Sequence, residues 1–255
     1  MLTLADIWSI AWSYGPRAIG GTIALLALFW LLRGRVPIDK GWGGFNIPRF
    51  RRVERWTHWL LAASFIVLAL TGFSFGARRA LRELVGPQAL LLGEALHLVG
   101  GLVFVTCLVL TALFWVRRCL PHWRDAVWLA KGGGLVRGVH PPARKFNAGQ
   151  KLLVWFTLVG GVVLVVSGVA LLLPPLGDAL WPWHGGTALA LTCVVIVHIY
   201  LRTVGIQGAS SAMISGEVDA NWARQHHNLW AEEELRRIEQ ETVPNAGDAR
   251  ASPAE

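Results

Sequence analysis

Charge is scarce in this chain. Only 16% of its 255 residues are Asp, Glu, Lys or Arg, against about a quarter in an ordinary soluble domain. No carboxylate falls inside any of its long apolar runs. The first observation excludes a water-soluble globular domain. The second weakens a solute or ion transporter, whose path near the midplane usually carries carboxylates or broken helices. Cysteine is sparse as well: Cys107, Cys119 and Cys193 stand apart, with no CxxC and no metal-ligand spacing. An iron–sulfur or zinc site within this chain therefore has no support, and a cysteine in an apolar run behaves as a small hydrophobe.

Apolar residues are abundant, at 54% of the chain, with a mean hydropathy of +0.46. They gather in five segments, 18–32, 56–75, 96–116, 152–173 and 179–201, each long enough or nearly so to cross about 30 Å of hydrocarbon. The first is the shortest and needs its flanks to complete a crossing. It reads as a retained span rather than a cleaved signal, because Arg33 and Arg35 follow the run and no A-x-A-like site is present. The predicted fold class is an all-α integral membrane bundle: a four-helix core plus one extra N-terminal transmembrane helix. Its divisions are 1–50 (first helix and linker), 51–205 (four-helix core) and 206–255 (tail).

The formal charge of +8 would suit a nucleic-acid partner, but its distribution argues against one. Segments 33–55, 117–151 and 202–255 hold 20 of the 24 Lys and Arg, leaving Arg17, Arg78, Arg79 and Arg82 elsewhere. That is the positive-inside pattern of membrane topology, and it places the N-terminus outside and the long C-terminal segment in the cytoplasm. Trp56, Trp59, Trp115 and Trp155 are expected to mark the cytoplasmic rim, with Trp181 and Trp183 at the opposite one. Residues 244–255 read as a disordered tail.

Four of the eight histidines, His58, His97, His184 and His198, fall in or at the rims of these spans. Taken singly, each reads more readily as an interhelical hydrogen-bond donor or an interface residue than as a ligand. The topology, however, sorts them into pairs: His58 with His198 at the cytoplasmic level, His97 with His184 at the outer level. His184 and His198 leave the same face of one helix, about 21 Å apart along its axis. Two bis-histidine haems need four axial ligands, two at each depth. Gly100 and Gly101 follow His97, and Gly185 and Gly186 follow His184; small residues there would let a flat macrocycle approach the backbone. Arg51, Arg52 and Arg55 lie near His58, where haem propionates would need counter-charges. His122, His140, His226 and His227 read as solvated or partner-facing. Asn147 and Gln150, read from the residues alone, are a helix N-cap and its first turn.

With Arg55-Trp56-Thr57-His58-Trp59, Leu96-His97, Phe146-Asn147-Ala148-Gly149-Gln150-Lys151, the last span with His184 and His198, and Trp222 through His226-His227-Asn228-Leu229-Trp230, the chain resembles the dihaem cytochrome b (gamma) subunit of membrane-bound formate dehydrogenases. Related hydrogenase and thiosulfate-reductase cytochromes b share the histidine plan and are the nearest alternative. The resemblance implies two haems b, held by His97 and His184 on the outer side and by His58 and His198 on the cytoplasmic side. It implies a quinone pocket lined by Asn147, Gly149 and Gln150. It also implies an iron–sulfur (beta) partner subunit, a molybdenum- or tungsten-pterin catalytic (alpha) subunit behind it, and residence in the bacterial inner membrane. The first span is a departure from the four-span members.

Overall fold

The computed structural model describes residues 4–76, 78–136, 138–173 and 176–242. The side chains of 4–13, 79–81 and 176–178 lie outside that description, as does all of the expected 244–255 tail. Helix α1 (Leu4–Arg33) leads through a linker to a short strand β1 (Asn46–Pro48) and helix α2 (Arg52–Gly76). Helices α3 (Arg78–Val85) and α4 (Pro87–Trp115) follow, then a 3-10 turn to Cys119 and helix α5 (Trp123–Ala130). Helix α6 (Ala148–Ala170) and helix α7 (Leu176–Tyr200) complete the spans. A π turn (Leu201–Gly205), helix α8 (Ser211–Ile214), strand β2 (Glu217–Asp219), helix α9 (Ala220–His226) and helix α10 (Asn228–Thr242) end the described chain.

Five stretches are long and apolar enough to cross a membrane: Tyr14–Arg33, Arg52–Gly76, Pro87–Cys119, Ala148–Ala170 and Ala179–Gly205. Their outward faces stay apolar, as Leu70, Leu102, Leu113 and Val166 show, because lipid rather than protein is the surrounding solvent. The α4 helix starts well before the predicted boundary. Gly86 takes a φ of +84° and Pro87 follows at the first helical position, where a missing N–H costs nothing. His97 and His184 consequently sit inside their helices rather than at the rim.

Helix α2 packs against α4, α6 against α7, and α1 against α7, while α4 meets α6. Close approach between helices is made by glycine: a Cβ on Gly161 would fall 2.7 Å from Leu108, and one on Gly160 2.9 Å from Leu191. At the Lys/Arg-rich end, called here the basic end, the segments on either side of the bundle fold together. β1 pairs antiparallel with β2, Ile47 opposite Val218, and Val36 bridges to Ile206. Ile38, Ile47, Phe50, Val218, Trp222 and Trp230 are buried there in one core continuous with the bundle.

Candidate functional site

The four histidines come together as two ring pairs. His58 of α2 faces His198 of α7 with ring centres 6.2 Å apart, and His97 of α4 faces His184 of α7 at 6.4 Å. Leu191 lies midway between the two histidines of α7 and is buried with Phe65, Phe104 and Leu108, so an apolar layer separates the pairs. At the far end from the basic segments, the ring orientation is fixed. Nδ1 of His97 lies 2.8 Å from Thr71 Oγ1, and Nδ1 of His184 lies 3.0 Å from Ser167 Oγ and 3.1 Å from the Leu164 carbonyl. Behind each ring stands a glycine of the neighbouring helix. A Cβ on Gly72 would be 3.2 Å from Cε1 of His97, and one on Gly168 3.1 Å from Cε1 of His184.

Residues 49–216, the stretch that carries all four histidines, match the prokaryotic cytochrome b561 family. The chain belongs to that family. Among similar proteins of this cytochrome, the formate dehydrogenase cytochrome b556(fdo) subunit of Escherichia coli K12 is 32% identical over 203 residues, covering 74% of this chain and 93% of that one. The nitrate-inducible formate dehydrogenase cytochrome b556(Fdn) subunit of the same organism is 28% identical over 201 residues, 73% of this chain and 91% of its own. The formate dehydrogenase cytochrome b556 subunit of Haemophilus influenzae is 30% identical over 215 residues, covering 78% and 88%. The protein is thus a multi-pass membrane cytochrome b, and haem b is the cofactor its family implies.

The residues of this cytochrome fit such a group. A metal–imidazole bond of about 2.0 Å, with the ring centre roughly 1.1 Å beyond the nitrogen, puts two opposed ligand rings about 6.2 Å apart. Both observed pairs stand at that separation. Hydrogen-bonded at Nδ1, His97 and His184 would have Nε2 to offer a metal, the arrangement that metal-binding histidines use. Nδ1 of His58 is buried without a hydrogen-bond partner among the described residues.

The glycines beside the rings are not those singled out in sequence. Gly100 packs on α2, its Cβ position 3.5 Å from Leu68, while Gly101 and Gly186 face open space. The three arginines also differ in use. Arg51 pairs with Glu54 and lies over Phe114. Arg55 donates to the carbonyls of Met213, Ile214 and Ser215, the end of α8. Arg52 makes no side-chain bond among the described residues and is exposed. Trp115, expected at the rim, is instead buried and donates to Glu54 at 3.1 Å. Glu54 itself is 1% exposed and also receives Arg118 at 3.3 Å and the Arg51 N–H at 2.9 Å. A lone carboxylate in the first turn of an apolar helix was the available signal, since acidic groups favour helix N-termini.

Asn147 and Gln150 form a reciprocal capping box at the start of α6: Asn147 Oδ1 accepts from the Gln150 N–H and Gln150 Oε1 from the Asn147 N–H. Their amide N–H₂ groups remain available as donors. Gly149 lets the Trp128 ring approach, 3.3 Å from its Cβ position. Asn147 lines a cavity of about 510 Å³ with Arg117, Arg124, Lys145, Lys151 and Trp128, and neither Gly149 nor Gln150 reaches it. Burial, with Arg118 and Arg49 nearby, pulls the Lys145 ammonium down to about 8 against the opposing pull of Glu54 and Glu234.

His227, expected in solvent, is 1% exposed. It donates from Nδ1 to the Arg144 carbonyl at 2.7 Å, so Nε2 accepts from Arg49 at 2.9 Å. Arg49 lies between the rings of Trp222 and Trp230, each 5.1 Å away. The motif ending in Trp230 thus locks the segment after the last span onto the bundle. His122 caps α5 and His140 pairs with Asp39.

Proposed function

We propose that this chain is the membrane electron-transfer subunit of a respiratory formate dehydrogenase, passing electrons from a partner iron–sulfur subunit through two b haems to quinone. The observation that carries the reading is the pair of histidine pairs, both at ligand separation and at two depths on α7. Bound there, haems would supply one-electron carriers, and two histidines on each iron would leave it no room for formate or oxygen. His97 and His184 serve the outer haem, His58 and His198 the cytoplasmic one. Phe65, Phe104, Leu108 and Leu191 keep water from the space between. Arg52 is the uncommitted cation of the three arginines expected beside the cytoplasmic haem's carboxylates. The relatives' names support membership of a formate dehydrogenase complex, in which formate oxidation would belong to a molybdenum- or tungsten-pterin subunit reached through the iron–sulfur partner.

The Lys and Arg distribution supports a bacterial inner-membrane placement with the N-terminus periplasmic and the basic end cytoplasmic. Quinone is reduced at that basic end. Asn147, which lines the cavity, and Gln150 behind it keep amide donors for a quinone oxygen while their oxygens cap α6, and Gly149 keeps Trp128 seated beside them. In membranes carrying the complex, Asn147→Leu and Gln150→Leu should leave both b components reducible by formate while slowing quinol formation at least tenfold. Quinol formation at the wild-type rate would move the quinone pocket elsewhere and leave this motif a helix cap alone.

A further inference from the structure

The far-end histidines share a device that His58 lacks. Thr71 and Ser167 each stand one residue before a glycine, Thr71-Gly72 on α2 and Ser167-Gly168 on α6. The hydroxyl meets Nδ1 of the ligand ring and the glycine makes room for Cε1. Both hydroxyls already donate within their own helix, Thr71 to the Val67 carbonyl at 2.7 Å and Ser167 to the Val163 carbonyl at 2.5 Å. Only their lone pairs face the rings, so each imidazole must be the donor at Nδ1. His184 donates in addition toward the Leu164 carbonyl. An Nδ1–H held by an acceptor makes the opposite nitrogen a more basic metal ligand.

At the basic end the arrangement is different. Nδ1 of His58 has no partner among the described residues, and the π turn just beyond His198 carries the cation Arg202. Short π segments recur at functional sites, and this one sets a cation four residues beyond His198.

We infer that Thr71 and Ser167 are positioning residues that make the far-end haem the lower-potential of the two, so that electrons entering there run downhill to the basic end. The inference rests on the haem reading given above. Electron-rich ligands favour ferric iron and lower the potential, whereas a nearby cation favours ferrous iron and raises it; hydrogen bonding and local charge are among the levers a protein has on a bound haem.

Potentiometric titration of the intact complex, followed in the b-type absorption bands, tests this. The component missing from His97→Ala should titrate at the lower potential. Thr71→Val and Ser167→Ala should raise that midpoint and leave the other in place, with two haems per chain retained. Thr71→Ser should restore the wild-type value, and Arg202→Gln should lower the upper midpoint. Two haems with both midpoints unmoved in Thr71→Val and Ser167→Ala would reduce the hydroxyls to packing and overturn the inference while sparing the haem reading. If a variant sheds its haem, the wild-type complex still decides: a far-end component at the higher potential contradicts the inference. Absence of low-spin b haem from the wild type would instead defeat the reading beneath it.

Discussion

At the scale of single residues, the tightest constraint on the site comes from hydrogen atoms in place of side chains. Gly168 and Gly72 leave 3.1 and 3.2 Å between a notional Cβ and the Cε1 atoms of His184 and His97. A branched side chain there must displace a histidine ring that a hydroxyl holds at the adjoining Nδ1. Gly168→Val should therefore cut haem from about two to about one per chain by the four-ligand count, whereas Gly101→Ala, facing open space, should keep both. Equal haem content in the two variants would contradict the cradle. The two histidine pairs were legible from sequence, because depth and helix period are properties of one helix at a time. The glycines were not. Gly100, Gly101, Gly185 and Gly186 share a helix with a ligand, but the glycines that touch the rings lie on the neighbouring helix, a relation no single-chain periodicity encodes. Thr71 and Ser167 were missed for the same reason.

At the scale of elements, the segments flanking the bundle matter more than their composition suggests. Residues 206–242 were expected to trail from the last span; instead β2 pairs with β1, and Arg49, held by His227 and two indole rings, pins α9 and α10. The polar surface of this segment hides the few buried side chains that dock it. Burial, with the cations His140, Arg202 and Arg49 and against Asp39, depresses His226 to about 4. Burial and Arg49 push His227 well below its ordinary value. Folded-state values below the ordinary 6.5 mean that the unfolded segment takes up protons the folded one refuses. The stability they contribute is full above about pH 6.5 and is lost as pH falls toward 4. Hydrogen exchange over 206–242 should accelerate progressively across that window and stay flat from pH 7 to 8. An exchange rate indifferent to pH 5, after correction for intrinsic exchange, would show that these buried rings do not hold the segment. The cap of α6 shows the opposite case. Asn147 and Gln150 were readable as a cap because a capping box is local in sequence.

At the scale of the whole molecule, α2 with α4 and α6 with α7 form two hairpins, and α7 supplies one histidine to each pair. The five spans were legible because apolar length alone sets them, although their ends moved where Pro87 and the π turn extend the helices. The pairing of levels across helices followed from topology and is what the ring separations support. If electrons enter at the far end, the chain between α2 and α4, including Arg78 and its ion pair with Glu94, should crosslink to the iron–sulfur subunit. So should residues 174–183, the expected outer connection with the start of α7, of which 174–175 lie outside the described residues and 176–178 have no described side chains. Crosslinks found only from the α5 region would invert the orientation. The central claim is two haems on two histidine pairs, and haem analysis of four single variants tests it most directly. The purified wild-type chain should carry about two low-spin b haems. His58→Ala and His198→Ala should remove one and the same spectral component, and His97→Ala and His184→Ala the other. Loss of the same component from His58→Ala and His97→Ala, or one haem in the wild type, would contradict it.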